Sequence, residues 1–427
     1  MASKPSASTG PSRGAGWRSS GFHVAIPGTL VVTTLCPDGP GAVLQGGHTL
    51  IKSNSRLLPV LGLLLVGVLL AGCGATPVAE NWPGLTLEGN TLYVISGLPQ
   101  RVYLLDVETG MQRATFLPQG MENGIFYWSP VTVGDDTAFV GFGDAKRGVS
   151  GLYAFDPETG QELWHVPADD LILPAPAYAD GVVYFGDSGG RVYAVDVETR
   201  SLKPGWAFEA DEAIWASPVV EDQRVYVAGM DHNVYALGAE TGEVIWSTDV
   251  GGAMAAPPRL DAETGLLYVG AFDGRVHALQ ADTGEPVDGF DFKAENWIWS
   301  EVLVAEDRLY TASLDGRLYA LDTQTGATLA PYPFDTSALA GAESAIRTSP
   351  VQAGENVIVG TEAGRVVAVR EGQQQWTWPS GLPESPIYTT PVVAEGRVYV
   401  VLMNGQVQSL DASTGAPGWA FVPPQAD

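Results

Sequence analysis

Cysteine is almost missing from this chain, with two among 427 residues, Cys36 and Cys73. A small fold stapled by several disulfides is therefore excluded, and whatever forms must stand on packing. Histidine is scarce as well. Of five, only His165, His232 and His277 lie downstream of Cys73, and they fall in separate stretches of the pattern described below. That scatter argues against a metal cage or a nucleophile–histidine triad. Basic residues are few, 22 Lys and Arg against 49 Asp and Glu, for a net charge of −27. With no basic stripe to meet phosphates, a nucleic-acid partner is disfavoured. Long hydrophobic runs are also lacking, apart from Leu57–Leu70. That run is too short to cross a bilayer as a helix and has the length of a signal-peptide core.

What the chain has in abundance is repetition. Eight times a short apolar strand ends, a tight turn follows, and a second strand begins, as in Ala154, Phe155, Asp156, Pro157, Glu158, Thr159, Gly160, Gln161, Glu162, Leu163, Trp164. The residue closing the first strand of each copy is Asp106, Asp156, Asp196, Gly238, Gln280, Asp322, Arg370 or Asp411, so the copies lie 40 to 50 residues apart. Such a period is the mark of a radial or solenoid array, and each copy holds enough chain for a four-stranded propeller blade. In the fourth copy the strands are read at 217–220, 224–228, 233–237 and 243–247. Asp-Gly-Arg precedes the third strand at Asp273-Gly274-Arg275 and Asp315-Gly316-Arg317, where a type I′ hairpin turn is predicted. In the other turn Gly160 tolerates a left-handed backbone, while Asp156 and Thr159 hydrogen-bond across it. The tryptophan that follows buries its indole where blades meet. Trp164, Trp206, Trp246 and Trp419 hold this place, Trp376 and Trp378 are candidates in the seventh copy, and Phe292 and Phe334 are expected to substitute elsewhere. Arginines that open strands, such as Arg224, Arg275, Arg308 and Arg317, are expected in ion pairs at the rim.

The pattern Ala-x-Asp-x-x-Thr-Gly-x-x-x-Trp resembles the tryptophan-docking motif of the quinoprotein-like (PQQ-like repeat) β-propeller family, and the resemblance runs over residues 82–421. It implies an all-β chain folded as an eight-bladed ring of four-stranded antiparallel blades, like the quinoprotein alcohol dehydrogenases. Seven blades is the alternative, because the first copy is irregular. The motif specifies fold more than activity. Enzymes of this family carry an adjacent cysteine pair, a calcium site and often a haem motif. No cysteine pair or Cys-x-x-Cys-His occurs here, so no catalytic residue, no metal and no cofactor are assigned; PQQ with calcium stays as an alternative.

The amino terminus speaks to location. The apolar run ends in Leu70-Ala71-Gly72-Cys73, which resembles a bacterial lipobox, and makes Cys73 the expected lipidation site. Residues 51–72 are then the signal, 1–50 a doubtful extension from a start assigned too far upstream, 73–81 a tether and 422–427 a tail. Several acyl chains on Cys73 would anchor the chain stably to a membrane.

One further constellation stands out. The loops leading into the first strands carry an acid, then Ile, then an aromatic or Arg: Glu212 with Ile214 and Trp215, Glu295 with Ile298 and Trp299, Glu343 with Ile346 and Arg347, Glu384 with Ile387 and Tyr388. A looser copy holds Glu122 and Trp128. First strands are innermost in a propeller, so these loops would ring one mouth of the central channel. A surface of Trp128, Trp215, Trp299, Arg347, Tyr388, Glu212, Glu295, Glu343 and Glu384 is a candidate for recognition; the competing reading has Ile and Trp plugging the channel and packing between blades. The expectation is a monomeric, non-enzymatic, lipid-anchored scaffold of the bacterial cell envelope with an envelope protein as partner. It resembles the propeller lipoproteins of outer-membrane β-barrel assembly. A ligand-binding or PQQ-dependent redox propeller using the channel mouth is the alternative.

Overall fold

Regular alternation of apolar residues between glycine- and aspartate-rich turns produces eight separate antiparallel sheets. A computed structural model describes residues 83–96, 101–119, 121, 127–144, 147–305, 307–340, 344–381 and 385–424. Within these the blades span 84–116, 127–167, 177–209, 219–249, 259–293, 303–335, 351–378 and 392–421. Six blades have four strands. In blade 2 the inner strand is split into Tyr127–Trp128 and Thr132–Gly134, and in blade 3 the outer strand is split into Ser201–Leu202 and Phe208–Glu209. Every blade is one contiguous stretch of chain, so the ring closes without an exchanged strand. Eight blades are present and the seven-bladed alternative falls. In blade 4 the strands Val219–Glu221, Arg224–Ala228, Asn233–Gly238 and Val244–Asp249 lie within two residues of the sequence reading.

The core is divided rather than central. There are eight clusters of buried apolar side chains, each built from two successive blades. The cluster joining blade 8 to blade 1 sets Leu92, Val94 and Tyr103 against Tyr399, Val401 and Val407. Tyr103 and Phe421 bring their rings to 5.2 Å across this closing seam.

Tryptophan docking has a specific geometry. Trp206, Trp246, Trp376 and Trp419 each donate Nε1–H, at 3.0 Å, to a carbonyl in the next blade: Ala239, Ala281, Ala412 and Val107. Two of these carbonyls also accept a tyrosine hydroxyl, from Tyr184 (3.0 Å) and Tyr226 (3.3 Å). The glycine of the receiving turn lies under the indole. A Cβ at Gly284 would sit 2.5 Å from Trp246, and one at Gly415 the same distance from Trp376. These glycines also have φ of 74° and 70°, so backbone and packing both demand glycine. Trp376, not Trp378, is the docking residue of blade 7.

Three expectations are corrected here. Phe292 and Phe334 do not substitute for tryptophan. They are strand residues paired with Val276 and Leu318, while Phe290 and Tyr332 take the docking place, 6.0 Å from Tyr268 and 5.8 Å from Tyr310. Blades 5 and 6 insert a loop before the outer strand, which moves the docking ring two residues upstream. Trp164 meets a turn in which Arg200, at φ 56°, stands where other copies have glycine. Its ring keeps the own-blade contact that the docked tryptophans also make, here to Phe139 at 5.9 Å, and packs on the cluster shared with blade 3. Finally, the Asp-Gly-Arg turns are not type I′. Only Gly274 and Gly316 are left-handed; Gly274 N–H donates to Ala271 O (3.1 Å) and Ala271 N–H to Arg275 O (3.0 Å), a three-residue hairpin with a glycine bulge.

Of the eight arginines expected to pair at the rim, Arg101, Arg191, Arg224, Arg275, Arg308, Arg317, Arg365 and Arg397, five do so (Arg191 with Asp169 besides the four below), whereas Arg365 and Arg397 donate to Pro379 O (2.9 Å) and Ser409 Oγ (3.0 Å). Arg224 meets Asp282 at 2.5 Å, Arg275 meets Asp291 at 2.6 Å, Arg317 meets Glu295 at 2.9 Å and Arg308 meets Glu371 at 3.1 Å. In the docking turns the aspartate caps the loop. Asp411 Oδ1 accepts from the Ser413 hydroxyl (2.7 Å), the Thr414 hydroxyl (2.8 Å) and the Thr414 amide (2.9 Å), which hold its carboxyl down to about 2.

Candidate functional site

The lead-in loops obey strict two-residue alternation before any strand hydrogen bond forms. Ile172, Ile214, Ile298, Ile346 and Ile387 are fully buried, or nearly so, and their neighbours on either side are partly open. Each isoleucine turns away from the channel onto the preceding blade, where glycine often makes room. A Cβ at Gly360 would come within 2.6 Å of Ile387. Backbone bonds lock the arrangement: Ile214 N–H donates to Asp187 O (3.0 Å), and Met230 N–H returns to Ala213 O (3.0 Å). The same two bonds recur further round the ring, where Ile298 N–H donates to Ala271 O (3.1 Å) and Leu314 N–H to Trp297 O (2.9 Å).

Because alternate side chains of an extended segment point in opposite directions, fixing isoleucine outward fixes its successor inward. Trp215, Trp299, Arg347 and Tyr388 are brought together on the wall of one cavity of about 550 Å³, with Leu173 and Ala255 from the intervening blades. Two residues deeper, Ser217, Ser349 and Thr390 share that wall with Pro130, Ala175 and Pro257. The cavity opens at the mouth where the lead-in loops meet the turns between second and third strands.

The cation in this layer is embedded. The Arg347 guanidinium lies 5.0 Å from the Trp299 ring and 5.5 Å from the Tyr388 ring, and its Nε donates to Glu362. Such contacts fix a guanidinium as a flat, partly apolar surface. Phe272 stacks on both Trp297 and Trp299 with centroids 4.9 Å away, so a ladder of π faces runs from the rim inward. The Trp215 Nε1 atom is buried with no hydrogen-bond partner among the described residues. Just below, Glu301 receives Arg259 at 3.6 Å from the neighbouring blade. Burial pushes the Glu301 carboxyl up, and Arg259 pulls it partly back. Solvent still reaches part of its side chain, as befits a group beside a channel.

The acids of the sequence constellation go elsewhere. Glu212 and Glu295 are exposed and outside the cavity wall, and Glu295 pairs with Arg317 at the start of the third strand of blade 6, the blade its loop leads into. Trp128 has its backbone in the equivalent place, in the broken inner strand of blade 2; its side chain lies outside the described residues, as do Glu122, Glu343, Glu384 and Cys73. Sequence reasoning missed Glu301, Arg259 and the serine and threonine layer, although their two-residue spacing from the aromatics is visible in the chain.

The histidines build no site. His277 Nε2 lies 3.2 Å from Asp273 Oδ2, in the place where Tyr235 and Tyr319 donate to Asp231 (2.6 Å) and Asp315 (2.7 Å). Burial lowers its pKa against the pull of Asp273. A calcium-held quinone needs converging oxygen ligands. No group of three or more His, Cys, Asp or Glu side chains converges among the described residues, and the carboxylates beside the cavity, Glu301 and Glu362, each face an arginine.

Known proteins place this geometry. A family model described as outer membrane protein assembly factor BamB matches residues 98–203, 203–287, 262–382 and 335–426. No curated protein matches the chain. Among solved structures, the computationally designed Ika8 protein shares 18% identity over 78% of this chain and 98% of its own, with a TM-score of 0.62. BamB from Moraxella catarrhalis shares 20% over 76% and 92%, at a TM-score of 0.60. The C-terminal WD40 domain of Sif2 shares 12% over 75% and 93%, also at 0.60. At such identities these likenesses show the propeller fold. The family matches, which run over most of the ring, show more: the chain belongs to the PQQ-like propeller family of the outer membrane protein assembly factor BamB.

Proposed function

We propose that this protein is a non-enzymatic scaffold of the bacterial envelope, anchored to a membrane through lipid on Cys73, which takes part in outer-membrane β-barrel assembly. The observation that carries the reading is the channel mouth: an aromatic-lined cavity in a family described as an assembly factor, with the arginines in and beside it each tied to a structural carboxylate. Arg347 is held by Glu362, Arg259 by Glu301 and His277 by Asp273. Such a surface has the composition of a binding hot spot, with aromatic anchors and one arginine.

The test is to isolate the full chain from membranes of its native host and weigh the mature protein. Acylated Cys73 at the amino terminus, together with co-purification of the barrel-inserting assembly protein, supports the reading. A mature chain that keeps residues 1–72, or that leaves the assembly protein behind in mild detergent, overturns it.

A further inference from the structure

The channel mouth presents an open apolar wall around Trp215. We infer that the cavity binds an extended polypeptide segment with an uncharged apolar core and basic flanks, the core lying among Trp215, Trp299 and Tyr388. This rests on the scaffold reading above and names the partner chemistry of the same site.

Size comes first. A cavity of about 550 Å³ is in the range that takes a small ligand or a few side chains, and it cannot admit a folded domain. Wall chemistry comes next. Pro83, Leu85, Pro130, Leu173, Ala255 and Pro257 make most of the surface apolar, and hydroxyls are confined to a few positions such as Ser217, Ser349 and Thr390. A glycan entering this space would strip water from many hydroxyls and find few partners, which is costly. An extended peptide suits it better. Apolar side chains and proline rings lie flat on indole and phenol faces. Aromatic grooves recognise extended proline-containing segments in this way.

Charge supplies the third argument. The loops leading to Leu173, Trp215, Ala255 and Trp299 carry the exposed acids Asp170, Asp211, Glu212 and Asp249, besides Asp169 and Glu295, which pair with Arg191 and Arg317. Lys293 is the only basic residue within those loops. Inside the cavity Arg347 is already matched by Glu362. The centre therefore suits uncharged side chains, and the surrounding field favours Lys or Arg on either side.

The probe is a short fluorescent peptide with a proline-, valine- and leucine-rich core and lysines at both ends, titrated into the folded, acyl-free chain starting at residue 74 and followed by anisotropy. A peptide with the same core and glutamate ends, and the glycan chitobiose, serve as alternatives. Saturable binding of the lysine-ended peptide is expected, weakening as salt rises, with the glutamate-ended peptide at least about tenfold weaker. Trp215→Ala and Tyr388→Ala should each weaken it about tenfold or more, and Trp215→Phe, which keeps an aromatic face of smaller area, by a smaller factor. Ala255→Trp, which fills the cavity without removing any contact, should abolish binding at an unchanged circular dichroism spectrum. Equal affinity for all these variants, preference for chitobiose, or no binding of either peptide overturns the inference. Neither lipid on Cys73 nor the assembly protein enters this titration, so its failure and failure of the scaffold reading are told apart.

Discussion

The seam between blades 4 and 5 and the seam between blades 2 and 3 are built from the same repeat, yet only one is complete. At the first, Trp246 donates to Ala281 O and lies on Gly284. At the second, Trp164 faces a turn whose glycine has become Arg200, held left-handed at φ 56°. A side chain in that region costs about 1–2 kcal/mol per residue. The same blade has a split outer strand and a second cavity, of about 430 Å³, beside Leu202, Trp206 and Phe208. One lost glycine thus separates an indole that hydrogen-bonds into the next blade from one that only packs on the cluster between blades 2 and 3. Docking needs the receiving turn as much as the tryptophan.

That contrast can be broken from either side. The largest effect is expected where docking closes the ring: Trp419→Ala should cost about 3–5 kcal/mol in urea or thermal unfolding, because it removes a large packed ring and orphans the Val107 carbonyl. Trp246→Ala should behave alike. Trp164→Ala should cost less than either by at least about 1 kcal/mol, and equal losses at all three would erase the distinction. In the other direction, Arg200→Gly should stabilise the protein by about 0.5–1 kcal/mol, by relieving the left-handed side chain at some cost in chain entropy. A loss of stability in that variant would mean that Arg200 does more than fill a gap.

The smallest effect concerns the docking turns and depends on pH. Asp411 is held at about 2 by the Ser413 and Thr414 hydroxyls and the Thr414 amide, below the ordinary value of about 3.9 for an unfolded chain. A depressed carboxyl stabilises the fold fully above the unfolded value, and that contribution fades as pH falls through the folded one. Asp411→Ala should therefore cost under about 1 kcal/mol at pH 7, trimmed by solvent screening, and nearly nothing near pH 2. Chemical denaturation at the two pH values reads it; a difference that persists in acid counts against the turn as its source.

How legible was this in the sequence? The ring was, because period, turn and tryptophan all repeat and each has a local cause. Glycine under indole was only half legible: Gly284 announces a left-handed turn, but the indole over it, Trp246, is in another blade, about forty residues away. Phe292 was mistaken for a docking residue since a motif counted along the chain cannot see that blades 5 and 6 insert a loop before their outer strand. Asp273-Gly274 reads as a type I′ turn by composition, while three residues in the loop let Gly274 alone take the left-handed place. At the mouth, acids, aromatics and arginine were read as one surface, with isoleucine only in the competing plug reading. Alternation divides them: isoleucine to the seam, aromatic and arginine to the cavity, and Glu212 and Glu295 outside its wall.

The account assigns seam tryptophans to stability and channel-facing aromatics to recognition, so a paired measurement on two variants tests it most directly. Trp246→Ala and Trp215→Ala are to be compared for unfolding midpoint and for affinity toward the lysine-ended peptide. The account expects Trp246→Ala to lower the midpoint while the folded protein binds as before, and Trp215→Ala to unfold near the parent midpoint with binding weakened about tenfold. Both variants losing both properties together, or the two effects exchanged, would contradict it.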